Sequence, residues 1–345
     1  IVNGVPIGFA NAVRRGRVGV VAASGTGAQQ VTTLVHRLGS GISQAFGAGG
    51  RDLSAAVGGL MTRFELRALL ADEQTAVVVL ISKPPAPAVA AAVLDDAAAA
   101  DKPVVVCFLG ADPGPIAARG LIVAATLEDA AVAAVRADRG AVADPALLAP
   151  LDIPLPELAP GQRYVRGLFS GGTFCYEAML ILRDEVGPIH SNIPLDKRDA
   201  LPDVDRSVGN TCIDFGEDEF TVGRPHPMID FRFRNERIVQ EARDPETAVL
   251  LLDLVLGYGA HPDPAAALLP AVLEAQTVAA AAGRPLPIVV SVCGTDEDPQ
   301  PLGAQEAQLR AAGVIVAPSN AQAARLAGRI VAAARAEGAN DGVDR

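Results

Sequence analysis

The stretch 17–27 has the sequence RVGVVAASGTG, and the stretch 163–173, RYVRGLFSGGT, repeats its construction. In each, a short apolar run that is typical of a buried strand leads into a glycine-containing turn and then into a helical pattern. Because the first turn of a helix has free backbone N–H groups, such a unit can hold an anion there. We predict phosphate or substrate contacts at both turns, with Ser24 or Thr26 capping the first helix. The turn residues are Ser24, Gly25, Thr26 and Gly27 in the first copy and Ser170, Gly171, Gly172 and Thr173 in the second.

Two further pairs of segments repeat in the same order along the chain. DEQTAVVVLISKPP from Asp72 parallels DPETAVLLLDLVLGYG from Asp244, and KPVVVCFLG from Lys102 parallels LPIVVSVCG from Leu286. Three matches in one order predict an internally duplicated unit. Because strand and helix patterns alternate, we expect the α/β class, with two flavodoxin-like domains that each contain a parallel sheet covered on both faces.

Composition sets the expected boundaries. The segment 141–162 contains five prolines, so it cannot be a regular helix or a central strand, and we predict a linker there. The first domain is then 17–140 and the second is 163–336. Residues 1–16, which begin without Met, are expected to end a preceding segment, and 337–345 are expected to be a disordered tail. The polar, proline-containing insertion 187–211 is predicted to loop over the surface.

Charge and cysteine content limit the possible partners. The net charge of -11 argues against a nucleic acid or an anionic membrane, but permits a local pocket for a small anionic substrate. The four cysteines form no CxxC pair and are typical of buried, reduced thiols in a cytoplasmic protein. No apolar run reaches transmembrane length in the sequence pattern, and no signal peptide is visible.

The stretch 218–230, DEFTVGRPHPMID, carries the most unusual chemistry. Arg224 offers a planar fork that suits a carboxylate or a phosphate. His226 lies between two prolines and can act as a general acid or base, or stabilise a charge. Asp230 can orient it. The alternative is a structural loop that hydrogen bonds hold in place.

Other candidate ligand contacts also follow predicted strands, where ligands bind in parallel sheets. They are Gly49, Gly50, Arg51 and Lys83 in the first copy and Gly257, Gly259, His261, Gly294 and Thr295 in the second. Lys83 is either a phosphate contact or a solvated lysine, and His261 stays open between ligand and structural roles. His36 is expected to be structural and His190 exposed. We predict no metal site, because the four histidines lack HxH and HExxH spacing.

Over nearly its whole length the chain resembles the FdrA proteins, which are relatives of succinyl-CoA synthetase. The segments that carry the resemblance are FANAVRRG, GVVAASGTG, GGRDLSAAVGG, SKPP, SGGT, DEFTVGRPHPMID and GTDEDPQ. The resemblance implies that the first half corresponds to the ligase domain of the synthetase alpha subunit and the second to the carboxyl-terminal domain of the beta subunit. It further implies that a CoA-binding domain precedes Ile1, so that CoA is a ligand only of a longer form.

The chain departs from the synthetase at 117–121, where AARGL stands in place of the GHAGA context of the phosphorylated histidine. No ATP-grasp domain is recognisable, so a nucleotide-driven phosphohistidine relay is not expected of this chain alone. FdrA-like proteins are linked to oxamate carbamoyltransferase, which uses carbamoyl phosphate and needs no CoA. The hypotheses are therefore a phosphate-dependent acyl- or carbamoyl-transfer subunit, an acyl-CoA synthetase with a nucleotide-binding partner, and a non-catalytic scaffold subunit with an anion site. No cofactor is assigned beyond phosphate or an acyl or carbamoyl phosphate as ligand, and partner subunits or a homo-oligomer are expected.

Overall fold

The chain folds around two parallel sheets, each with a fully buried central strand. The structure is a computed structural model that describes residues 1–340, without the side chains of Leu148 and residues 337–340. It divides into two compact units. Unit 1 comprises Ile1–Ala149, Gly257–Gly259 and Gly294–Pro299, and unit 2 comprises Pro150–Leu256, Ala260–Cys293 and the chain from Gln300 onward.

Unit 1 contains a five-stranded sheet in the order β2-β1-β3-β4-β5, with every neighbouring pair parallel. This is the flavodoxin-like order. Its elements are β1 (Arg15–Ala22), α1 (Gly25–Arg37), β2 (Ile42–Gly47), α2 (Leu60–Ala71), β3 (Val77–Ser82), α3 (Pro87–Ala98), β4 (Val104–Phe108), α4 (Gly114–Ala117), β5 (Ile122–Val123) and α5 (Leu127–Arg139), followed by a 3-10 turn at Pro145–Leu148.

Unit 2 contains a six-stranded parallel sheet in the order β11-β10-β9-β6-β8-β7. Its elements are β6 (Tyr164–Phe169), α6 (Gly172–Val186), β7 (Ile189–Ser191), a 3-10 turn (Lys197–Asp199), β8 (Asn210–Asp214), α7 (Asp218–Thr221), α8 (Arg232–Arg243), β9 (Thr247–Val255), α9 (Pro264–Ala281), β10 (Ile288–Cys293), α10 (Leu302–Ala311), β11 (Ile315–Ala317) and α11 (Asn320–Asn340). Without β7, the order β8-β6-β9-β10-β11 repeats that of unit 1. The α/β class and the parallel pairing of β6 with β9 are therefore confirmed.

The central strand of each sheet, β3 or β9, is a continuous apolar run in the sequence because it is buried on both faces. All six residues of β3 and all nine of β9 are buried, as a strand covered by helices on both faces requires. The helix starts also follow local chemistry. The Ser24 side chain accepts a hydrogen bond from the Gly27 N–H at 2.9 Å, so the predicted cap of α1 is confirmed. Pro87 opens α3, where its missing N–H is not needed.

The insertion and the end of the chain differ from expectation. Residues 189–191 of the predicted surface loop form the edge strand β7, in which His190 is half-buried rather than exposed. A three-residue strand has too little pattern of its own, and its stability comes from pairing with β8. The predicted disordered tail begins too early, because α11 continues to Asn340. The rest of that prediction, 341–345, lies outside the described residues.

Helix α9 is the exception to the prediction that no apolar run reaches transmembrane length. Its 18 residues are apolar enough to cross a membrane by length and composition. One face packs into the core of unit 2 through residues that include Leu268, Val272 and Ala275. Core packing accounts for the apolar residues on that face. Pro270 lies inside the helix, and the Asn235 side chain donates to the nearby Ala267 carbonyl at 2.8 Å.

Helix α2 buries one acidic side chain, Glu65, without a hydrogen bond to one of its carboxylate oxygens. Glu65 is 7% exposed, and its Oε2 has no hydrogen-bond partner. At the start of the same helix, the carboxylate of Asp52, which precedes α2, accepts from the backbone N–H groups of Met61 and Thr62 and from the Thr62 hydroxyl. Burial, and then the Asp52 charge, raise the pKa of Glu65 to about 7.

We predict that Glu65 makes the stability of the chain depend on pH. Because its pKa is higher in the folded state than the ordinary value of 4.5, the folded state loses stability as pH rises from about 4.5 to about 7. Glu65→Gln should leave the free energy of unfolding unchanged at pH 4 and increase it at pH 8 by on the order of 3 kcal/mol. Urea unfolding at both pH values measures this. Exposed Glu73→Gln is the matched control, and equal pH profiles for Glu65→Gln and the unmodified chain would contradict the prediction.

Candidate functional site

A buried ion pair lies at the carboxyl ends of the unit 2 strands. Asp253 of β9 and Arg234 of α8 are both fully buried, with Arg234 Nη1 2.8 Å from Asp253 Oδ1. Asp253 Oδ1 also accepts from the Ser170 N–H at 2.7 Å, and Oδ2 accepts from the Ser170 hydroxyl at 2.8 Å. The Arg234 guanidinium also lies 5.0 Å from the Phe231 ring centre. The pair therefore joins α8, β9 and the turn after β6.

This arrangement changes the prediction for the second glycine turn. Because the Ser170 N–H and hydroxyl both bind Asp253, Ser170 belongs to the interior, and its predicted phosphate contact is not supported. At Gly172, an added Cβ would collide with the Asp214 carboxylate. A protein carboxylate therefore lies against the first turn of α6, where it interacts favourably with the helix dipole. Gly171 and Thr173 flank Gly172 and are buried.

The first glycine turn keeps a form that suits an anion. The first turn of α1 contains no acidic residue, and Gly25 is exposed with open space around it. Thr26 and Gly27 are buried beneath it. The exposed run that follows β2 consists of Gly49, Gly50 and Arg51, and Lys83, after β3, is half-buried. An anion contact at these residues stays a prediction.

Arg224 lies at the rim of a cavity of about 310 Å³ in unit 2. Its guanidinium lies 4.8 Å from the centre of the Phe233 ring and, among the described residues, makes no hydrogen bond or ion pair. The cavity combines arginines, acids, prolines and aromatic rings. It is lined by Phe215, Phe220, Gly223, Arg224, Pro225, Pro227, Asp230, Arg232, Phe233, Arg234 and Glu236.

His226 does not line this cavity, although its two flanking prolines do. It is half-buried, and its Nδ1 accepts from the Met228 N–H at 3.3 Å. The neutral ring therefore carries its proton on Nε2, which lies 3.0 Å from the position of a Cβ added to Gly216. Burial lowers the pKa of His226, the Asp253 charge opposes this, and the Arg234 charge adds to it. A neutral ring with an Nε2 donor follows near pH 7.

Asp230 does not orient His226. Its carboxylate pairs with Arg232, whose Nε lies 3.0 Å from both carboxylate oxygens, and this pair lowers the pKa of Asp230 to about 2. The prediction that Asp230 serves His226 is wrong because a guanidinium two residues away is the closer and stronger partner. Asp230 is instead the counter-ion of Arg232 at the cavity.

The other predicted contacts are engaged in internal structure. His261 Nδ1 accepts from the Asp263 N–H at 3.1 Å, and its ring packs edge-on against Phe231. In unit 1, Thr295 donates its N–H to Asp298, and its hydroxyl to the Ala12 carbonyl. Gly257 and Gly259 allow the segment 9–10 to approach the backbone closely, because a Cβ at Gly257 would meet the Ala10 carbonyl and a Cβ at Gly259 would meet the Phe9 ring. Gly294 immediately precedes Thr295. His36 is structural, as predicted, because its Nδ1 accepts from the Arg14 N–H at 2.8 Å.

Sequence reasoning missed Asp253, Arg234, Asp214 and Phe233. Asp253 had a usable signal, since it is the one charged residue within the apolar run 248–256, AVLLLDLVL. A charge within a buried strand requires a partner. Arg234 and Phe233 had no comparable signal, because the segment RFRNER has the charge pattern of an ordinary exposed helix.

We predict that breaking the ion pair destabilises unit 2 more than removing it. Asp253→Ile leaves the buried Arg234 charge uncompensated and should lower the free energy of unfolding by about 3–5 kcal/mol. The double variant Asp253→Ile with Arg234→Met should lose less, because no orphaned charge remains. Ser170→Ala should lose about 1.5–3 kcal/mol, since a hydrogen bond to a charged group is removed.

Denaturant unfolding of the three variants measures these differences, with Ser54→Ala, at an exposed serine, as the control. A double variant less stable than Asp253→Ile, or a Ser170→Ala variant as stable as Ser54→Ala, would contradict the assignment of this cluster.

Two family models match the chain. A model for CoA-ligase matches residues 168–330, and a model for the CoA binding domain matches residues 13–110. The second match falls on the region that the FdrA resemblance assigned to a ligase-type domain. The expectation that a CoA-binding domain is missing is therefore not confirmed.

Similar proteins include the uncharacterized protein YahF of Escherichia coli (strain K12), which is 46% identical over 332 residues. The match covers 95% of this chain but 64% of that relative, so the chain spans less than two thirds of the relative's length.

Solved structures that resemble the chain include the apo dinucleotide forming acetyl-coenzyme A synthetase 1 of Ca. Korarchaeum cryptofilum. It is 18% identical with a TM-score of 0.34, over 95% of this chain and 68% of that one. The ATP citrate lyase of Methanothrix soehngenii, in complex with citrate and coenzyme A, is 14% identical with a TM-score of 0.31, over 96% and 52%. At these scores the structures carry no argument about this chain. The chain is therefore similar to a CoA-ligase over residues 168–330, to a CoA binding domain over residues 13–110, and to YahF over most of its length.

Proposed function

We propose that the chain is a subunit of an enzyme that transfers an acyl or carbamoyl group by way of its phosphate, and that Arg224 binds an anionic oxygen of the substrate. The observation that supports this most directly is the guanidinium of Arg224, exposed at a cavity and without an ion-pair partner among the described residues. A planar fork binds carboxylate and phosphate through two parallel hydrogen bonds.

The chemistry of transfer requires such a group. An acyl or carbamoyl phosphate gathers negative charge on oxygen as the bond to phosphate breaks, and a fixed cation stabilises that charge more than water does. Pro225 and Pro227 restrict the backbone on both sides of His226, which reduces the entropy lost when the loop holds a substrate. His226 contributes a hydrogen-bond donor through Nε2, so it can stabilise negative charge on the group being transferred.

Carbamoyl transfer to oxamate is the specific reaction that fits the residue inventory best. Both substrates are small anions, and the reaction needs neither CoA nor a phosphorylated histidine. The segment 117–121, AARGL, contains no histidine to carry a phosphoryl group. We place the activity in the cytoplasm and in an assembly with further subunits or with copies of this chain.

A second candidate is an acyl-CoA synthetase, and the CoA binding domain match at residues 13–110 favours it. The residues there fit a CoA phosphate, because the start of α1 has an open glycine and no acidic side chain. Gly25 and the exposed Arg51 would hold the phosphates, and the thiol of CoA would accept the acyl group. The third candidate is a scaffold subunit that retains the anion site without catalysis.

Ligand consumption separates the three candidates. The chain, purified together with the subunits that accompany it, should consume carbamoyl phosphate in the presence of oxamate and release phosphate. Consumption of acyl phosphate only when CoA is present, with CoA binding measured by calorimetry, would favour the synthetase. If neither carbamoyl phosphate nor acyl phosphate is consumed in the assembled protein, the scaffold function stands.

We predict that Arg224→Ala and His226→Ala fold normally and lose most of the activity. Removing a group that stabilises developing charge costs about 2–4 kcal/mol of barrier, which corresponds to roughly 30- to 1000-fold in rate. Arg224→Lys should recover little, because a point charge does not reproduce the fork. Steady-state kinetics measure the loss, and exposed Arg206→Ala is the matched control.

The pH dependence gives a further check on His226. Since burial lowers its pKa, His226 should take up a proton only below the ordinary histidine range, where Nδ1 can no longer accept from the Met228 N–H. The activity should change with pH there, and this change should disappear in His226→Gln. Near-normal turnover in both alanine variants would show that the 218–230 loop is structural and that the assignment is wrong.

A further inference from the structure

Three arginines line one cavity, but they differ in what neutralises them. Arg234 is fully buried and pairs with Asp253. Arg232 is exposed and pairs with Asp230. Arg224 lies over the Phe233 ring and, unlike the other two, makes no ion pair within residues 1–340. The positive charge left for a ligand at this cavity is therefore on Arg224.

The ring beneath Arg224 is held from behind. Phe233 lies 5.9 Å from Phe215 and 5.6 Å from Phe220, measured between ring centres, and those two rings lie 4.9 Å apart. Phe215 and Phe220 are 2% and 7% exposed, whereas Phe233 is 36% exposed. The two buried rings thus fix Phe233, while part of its surface remains available to the guanidinium at the cavity.

We propose that Phe233 is a positioning residue for Arg224 and that Asp230 confines the anion to Arg224 by neutralising Arg232. This inference rests on the proposed function, in which Arg224 meets the anionic oxygen of a carboxylate or phosphate. The contact with the ring includes no hydrogen bond or ion pair, so the N–H donors of the guanidinium stay available to the ligand. A salt bridge would instead use those donors and cancel the charge.

The stack also reduces the cost of binding. An exposed arginine loses rotamer freedom when it binds a ligand, and a side chain already held against a ring has less to lose. A cation over an aromatic face at an exposed site is stabilised by an amount that corresponds to about a two- to five-fold change in equilibrium constant. We expect the affinity for a small anion to change by this factor when the aromatic face is removed.

The experiment compares Phe233→Leu with Phe233→Tyr in the full chain, and inorganic phosphate is the probe. Leu keeps apolar bulk without a ring, whereas Tyr keeps the ring. The side-chain NMR signals of Arg224 are assigned by their loss in Arg224→Lys, and they are followed during a phosphate titration. Ring-current shielding of Arg224 reports the stack independently of activity.

In Phe233→Leu we expect the shielding of Arg224 to disappear and the phosphate dissociation constant to rise about two- to five-fold. Phe233→Tyr should keep both properties. Should Phe233→Leu fail to fold, Phe233→Met takes its place with the same expectations. An unchanged dissociation constant in the Leu variant, or an equal loss in the Tyr variant, would overturn the positioning role.

Asp230→Asn tests the second part of the proposal. Removing the carboxylate frees Arg232 and should tighten phosphate binding, by up to about five-fold for an exposed pair. Weaker binding, or no change, would overturn the neutralising role of Asp230. If phosphate shifts the Arg224 signals to the same extent in the Phe233 and Asp230 variants as in the unmodified chain, the positioning role of Phe233 is wrong and the proposed function stands. If it moves them in none, the proposed role of Arg224 itself fails.

Discussion

A negative charge near the carboxyl end of a fully buried strand is the constraint that organises unit 2. Asp253 has no contact with water, so its charge must be balanced inside the protein. Arg234 supplies the balance and thereby fixes α8 against β9, while Ser170 fixes the turn after β6. Arg232 and Phe233 immediately precede Arg234 in α8. The Asp253–Arg234 ion pair therefore also fixes the positions of Arg232, which pairs with Asp230, and of Phe233, which lies beneath Arg224.

The sheets could be predicted from the sequence because their central strands are long apolar runs whose burial leaves little choice. The fold family of the first sheet could not be predicted from the sequence, because two fold families share its strand order. The observed strand order, 2-1-3-4-5, is flavodoxin-like. A dinucleotide-binding sheet has the general order 3-2-1-4-5-6, and it gives the same pattern when the strand at its outer edge, the third along the chain of that fold, is absent. The CoA binding domain match at residues 13–110 is compatible with this ambiguity.

Candidate site residues could be singled out from the sequence where one residue decides the chemistry, and were missed where distant residues decide it. Arg224 could be singled out because a guanidinium between glycine and proline on a polar loop has few structural uses, and its contact with a ligand stays a prediction. The partner of Asp230 was missed because two candidates, His226 and Arg232, lie within four residues, and only the folded backbone selects between them. Arg234 was missed because its partner, Asp253, is 19 residues away.

The two glycine turns differ because one residue near them, at matching positions of the two repeats, is apolar in unit 1 and acidic in unit 2. In the alignment of the repeats, Ser24 corresponds to Ser170, and Ile81 corresponds to Asp253. Beside the apolar Ile81, which would contact a Cβ at Gly27, the Ser24 hydroxyl caps its own helix. Beside Asp253, the Ser170 hydroxyl and N–H both turn to the carboxylate, and the turn becomes part of the interior. The same motif therefore leaves an open, acid-free helix start in unit 1 and an internal charge cluster in unit 2. Since Asp253 of the cluster pairs with Arg234 of α8, the same cluster fixes the helix whose Phe233 ring lies beside Arg224.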